Sequence, residues 1–160
     1  MARELPSVID SVLLTLVQAI NFSSSDDEQG LGLVLVVDGA TVAGRLIPNW
    51  LWFKKVAENI RTTARAQDDE QNVWANTFSE FGDQMVSYRE DAKKIAHVLD
   101  ELPEDAQRVV INNDPTAFIH LEDARVYTPG FPGIPDNGML WRGRLHDVSG
   151  WSFGLFESPR

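Results

Sequence analysis

The chain of 160 residues carries 24 acidic against 14 basic side chains, a net charge of −10, and no cysteine. That length suits one domain with one hydrophobic core, and the missing cysteines exclude disulfides, thiolate nucleophiles and Cys-ligated metal sites. The lysines and arginines are dispersed, so phosphate backbones are repelled on average and nucleic acid is not expected as a partner.

At the N-terminus Arg3 is followed at once by Glu4, and Asp10 interrupts the apolar residues, which does not read as an export signal. The uncharged run Ser11 to Ile20 is too short to span a bilayer, so a cytoplasmic protein without membrane attachment is expected. From Leu5 to Ile20 the apolar residues Val8, Ile9, Val12, Leu13, Leu16, Val17 and Ile20 cover one helix face. A polar, acidic connector follows from Asn21 to Gly30. Next, two β-branched runs flank Asp38-Gly39, a dipeptide that accepts positive φ and closes a tight hairpin.

Pro48-Asn49 starts a helix with Asn49 as its cap and Phe53, Val56 and Ile60 on the inner face. Trp50 falls off that stripe and is a candidate exposed anchor for a partner. Beyond the acidic turn 67–70, Trp74, Phe78, Phe81, Met85, Tyr88, Ala92, Ile95, Leu99 and Leu102 alternate steps of four and three. The pattern predicts one amphipathic helix, or two nearly collinear ones broken near Gly82, with Pro103 as the stop. Its mean spacing of about 3.5 residues is that of a coiled coil. Trp74, Phe78, Phe81, Met85, Tyr88, Ile95 and Leu99 are therefore a candidate contact between copies of a homo-oligomer; the alternative is a helix lying on its own domain.

From Ala117 to Tyr127 a strand alternates Ile119 and Leu121 against Phe118, His120 and Glu122. Residues 128–138, with three prolines and three glycines, read as a loop. In the closing stretch Trp141, Gly143 and Leu145 share one face, and Arg142, Arg144 and His146 the other. Asp147 to Gly150 then turns the chain into Trp151, Phe153 and Leu155, the next inward-facing set. The expected fold is α+β and a single domain over residues 1–160. Its core is a small bent antiparallel sheet, or an SH3- or Sm-like barrel, of about five strands. An N-terminal helix precedes it, and a helical insertion over about 49–102 separates strands 2 and 3.

Chemistry is sparse. His97, His120 and His146 lie on separate elements, with no HxxxH or HExxH spacing to present two imidazoles to one metal. Gly30-Leu-Gly32 precedes a strand rather than opening a helix, and no serine sits in a GxSxG elbow. No catalytic residue, metal or cofactor is expected. If the late strands pair, His120 and Glu122 lie opposite Arg142 and Arg144 in a charged lattice that is the best candidate partner-facing surface. Competing readings are an Sm-like RNA-binding or general protein-interaction module, and a metal or hydrolytic site drawn from His120, Glu122 and His146.

The segments GLVLVVDGATVAGRLIP, FIHLEDARVY and LWRGRLHDVSGWSFGLF, in that order with helices between, resemble the gas vesicle accessory protein U (GvpU) family. The family pattern is matched by Gly44, Leu46 and Ile47; by Phe118 to Leu121; by Trp141, Arg142 and Gly143; and by Val148, Gly150, Trp151 and Gly154. Glu122-Asp123 departs from it, being acidic where the family strand is basic. The resemblance implies a non-enzymatic, cofactor-free accessory protein that binds gas vesicle shell or other accessory proteins, in vesicle assembly or clustering.

Overall fold

Asp38 and Gly39 take φ of 50° and 80° and fold strand β1 (Leu31–Val37) directly onto β2 (Ala40–Leu46). Val37 pairs with Ala40 at the turn and Leu31 with Leu46 at the far end. The computed structural model describes residues 9–23, 30–63, 69–99 and 116–154, with side chains of the long helix described from 72 to 94. Two compact units result, one built from residues up to Pro48 and from Ala117 onward, the other from Asn49 to Thr116.

The first unit adds helix α1 (Ser11–Asn21), β3 (Phe118–Tyr127), β4 (Ile134–Arg144), a 3-10 turn at Leu145–Asp147, and β5 (Val148–Phe153). All neighbours are antiparallel, in the order β4-β3-β2-β1-β5. Of the two expected architectures this is the open sheet, with β4 and β5 as its edges. The helix starts after Asp10 because that carboxylate caps it, accepting from the Val12 and Leu13 amides at 2.9 and 2.8 Å. The expected start at Leu5 lies outside the described residues.

Leu13 and Val17 of α1 pack with Leu33, Leu35, Val42, Leu46, Ile119 and Leu121 into one core. The period-2 alternation of each strand puts these residues on a single sheet face, and the helix stripe covers it. Leu145, expected in line with Trp141, leaves the strand and is buried from the 3-10 turn instead. The chain therefore turns at Leu145–Asp147, earlier than Asp147–Gly150. Strand β4 also reaches back to Ile134, taking up half of the segment that composition marks as a loop.

In the second unit, α2 (Asn49–Thr63) and α3 (Asp69–Leu99) form an antiparallel pair. Asn49 Nδ2 meets Met85 Sδ at 3.5 Å, and Arg61 reaches Asn76 at 3.3 Å. Helix α3 is continuous through Gly82. A Cβ there would lie 3.2 Å from the Trp50 carbonyl oxygen and 3.1 Å from Lys54 Cγ, so this glycine is an approach point for α2 rather than a break. Phe53 packs between Phe78 and Phe81, at 6.2 and 5.7 Å between ring centroids.

Candidate functional site: the charged cluster on the outer sheet face

The sheet face opposite α1 carries the polar residues of β2, β3 and β4. His120 pairs directly across with Arg142, and Phe118 with Arg144. Arg142 Nε donates to His120 Nε2 at 3.2 Å, which leaves the imidazole proton on Nδ1. The same guanidinium lies over the Phe118 ring, 3.6 Å from its centroid. Burial, and after it the nearby Arg142 charge, lowers the His120 pKa to about 3, so the ring is neutral at neutral pH. Arg142 and Arg144 are exposed.

Glu122 belongs to a different grouping. It pairs across β2 with Arg45, whose Nε lies 3.7 Å from Glu122 Oε1 and whose Nη2 contacts Asp123 Oδ2. Consecutive strand residues point to opposite faces, so one arginine could not ordinarily meet both. Here β3 bulges. Between Leu121 and Ala124 it advances three residues while β4 advances two, from Trp141 to Met139, and Asp123 takes φ 50°. Glycines on both flanking strands receive the extra residue. A Cβ on Gly44 would lie 3.0 Å from Ala124 Cα and from the Glu122 oxygen, and one on Gly138 would lie 2.6 Å from Asp123 Cα.

Two expected surface residues are thus interior. His120 is 4% and Glu122 7% exposed, because β3 is flanked on both sides and the long side chains of Arg45 and Arg142 lie beside it. Trp50 is a third correction, at 5% exposure. It is three residues before Phe53 and seven before the buried Ala57, so it lies on the inner stripe of α2. Lys54 and Arg89 approach its ring at 5.6 and 5.3 Å. Phe153, expected inside, is 63% exposed, at the end of β5, an edge strand.

His146 does not join the cluster; its Nε2 meets Asp147 Oδ1 at 2.9 Å within the 3-10 turn. Among the described residues no group of three or more His, Asp or Glu side chains is arranged to hold a metal. On α3, Trp74, Phe81 and Tyr88 are exposed at seven-residue intervals, Phe81 while also touching Phe53 of α2, and Phe78 and Met85 are half-buried toward α2. The side chains of Ile95 and Leu99 lie outside the described residues. Arg45 and Gly138 escaped sequence reasoning, and Gly44 entered it only through the family pattern. Their signal was the non-alternating Glu122-Asp123 pair inside a strand.

The family model described as gas vesicle protein GvpU-like matches residues 10–156. The chain belongs to the GvpU-like family. No curated protein and no solved structure matches it. The match takes in both compact units and every element of the sheet. Among the described residues no helix is long and apolar enough to cross a membrane.

Proposed function

We propose that this GvpU-like chain is a non-enzymatic, cytoplasmic accessory protein that binds gas vesicle shell or other accessory proteins, in vesicle assembly or clustering, and that it self-associates. Family membership over residues 10–156 carries the reading. Arg142 and Arg144 supply the partner-facing surface, with Phe118 beneath the first guanidinium. His120 positions Arg142 from below, and Glu122 with Arg45 holds the neighbouring backbone. Two exposed arginines on a chain of net charge −10 form a local cationic patch that fits an acidic partner surface. The exposed row Trp74, Phe81 and Tyr88 on α3 supports contact with a second copy.

Flotation tests the reading. Purified protein mixed with isolated gas vesicles should rise with the buoyant layer and saturate, and Arg142→Glu with Arg144→Glu should remove it from that layer. Wild-type protein left entirely in the subnatant would overturn direct shell binding.

A further inference from the structure

The two edges of the sheet are built differently. The outer edge of β4 is guarded by Pro135, Asp136, Arg142 and Arg144, a proline and charges of the kind that prevent a strand from pairing onward. Strand β5, Val-Ser-Gly-Trp-Ser-Phe, has no charge and no proline. Among the described residues only β1 pairs with it.

The hydrogen-bond phase of β5 is set by Gly154, whose amide donates to the Gly32 carbonyl at 3.0 Å. Gly154, Ser152 and Gly150 therefore direct their backbone groups toward β1. Trp151 and Phe153, opposite Leu35 and Leu33, direct theirs outward. Their rings stand edge to face at 5.3 Å on the α1 side of the sheet, and Ser152 is exposed on the other side.

We propose that β5 pairs antiparallel with β5 of a second copy, across a two-fold axis at Ser152, joining two sheets into one. In this register Trp151 of each copy faces Phe153 of the other. Both pairs are hydrogen-bonded, using the outward amides and carbonyls of each strand, and they set aromatic rings side by side. Ser152 meets its own equivalent as the non-hydrogen-bonded pair on the axis. A second copy is the occupant because β5 is its own complement: about an axis at Ser152 the outward amides and carbonyls of Trp151 and Phe153 close two hydrogen-bonded pairs with no charge on either strand. Chains of net charge −10 repel each other, so self-pairing needs an edge that places no like charges opposite one another, and β5 meets that condition where β4 does not. This deepens the self-association proposed above by giving it a surface separate from the α3 row.

The chain has no cysteine, so Ser152→Cys introduces a single thiol. Non-hydrogen-bonded antiparallel pairs bring Cα atoms to about 4.5 Å, within the range a disulfide spans. Mild oxidation of full-length Ser152→Cys should give nearly complete disulfide-linked dimer on a non-reducing gel, and Ser87→Cys on the exposed side of α3 should give little. In sedimentation experiments Ser152→Lys, which sets two ammonium groups across the axis, should at least halve the wild-type mass. Phe153→Pro, which removes an outward amide without touching the β1 ladder, should do the same. A monomeric wild type overturns the inference together with the self-association it rests on. An oligomer that fails to cross-link at position 152 and keeps its mass in both other variants overturns the β5 interface alone.

Discussion

Arg142 reaches across from β4 and hydrogen-bonds the buried imidazole of His120 through Nε2. The neutral ring is thereby an acceptor beneath a cation that stays in contact with solvent. A charged His120 would lose that bond and face Arg142 with like charge.

The pH dependence of stability follows from this pair. With the folded pKa at about 3 against an ordinary 6.5, the unfolded chain takes up a proton over that interval and the folded chain does not. Stability contributed by neutral His120 is complete above pH 6.5 and is lost as pH falls toward 3, at up to about 1.4 kcal/mol per pH unit. His120→Gln retains an acceptor for Arg142 but does not titrate. Urea denaturation of both proteins across this range should show the wild type losing stability faster on acidification. Parallel pH profiles would contradict a neutral buried histidine.

Gly138→Ala should destabilise the fold by about 1–3 kcal/mol. Its backbone has φ 69°, and a Cβ would run into Asp123 Cα at 2.6 Å. Since the bulge positions Asp123 against Arg45, Arg45→Ala in the Gly138→Ala background should cost less than in the wild type. A thermal-denaturation double-mutant cycle measures the coupling, and strictly additive losses would separate the glycine from the bulge.

Asp10→Ala should cost about 1 kcal/mol by removing the cap of α1, whereas Asp10→Ser should restore most of it. Chemical denaturation reads both. Equal losses in the two variants would mean that the carboxylate acts through something other than the Val12 and Leu13 amides.

Trp74→Glu with Tyr88→Glu targets the outward row of α3 and leaves Phe78 and Met85, which lean toward α2, in place. Surface substitutions of this kind change stability by about 0.5 kcal/mol or less. If the row joins copies, sedimentation should show a lower mass at an unchanged melting temperature; an unchanged mass would remove α3 from self-association.

Local chemistry was legible in the sequence wherever one turn or one period decides the outcome. Asp38-Gly39 has a backbone conformation few other pairs adopt, so the β1–β2 hairpin could be located without its surroundings. The step pattern from Trp74 onward identified α3 because a helix repeats regardless of what it packs against. The same periodicity left Gly82 ambiguous, since a glycine that breaks a helix and one that admits a neighbour look alike until α2 is in place. Trp50 sits on the α2 stripe that it was expected to miss, because burial of the first turn of α2 depends on the close approach of α3 at Gly82.

By itself, then, the sequence determined most of the elements, their order, the helical insertion and, through motifs at Gly44, Trp141 and Gly150, the family. Only the tertiary structure decided that His120 and Glu122 are interior, that Glu122 and Asp123 both answer to Arg45, and that β5 rather than β4 leaves an uncharged edge. The physical reason is range. Helices and tight turns are set by residues a few positions apart, whereas strand order, register and burial depend on which distant segment lies alongside, and Arg45 meets its carboxylates across more than seventy residues of intervening chain.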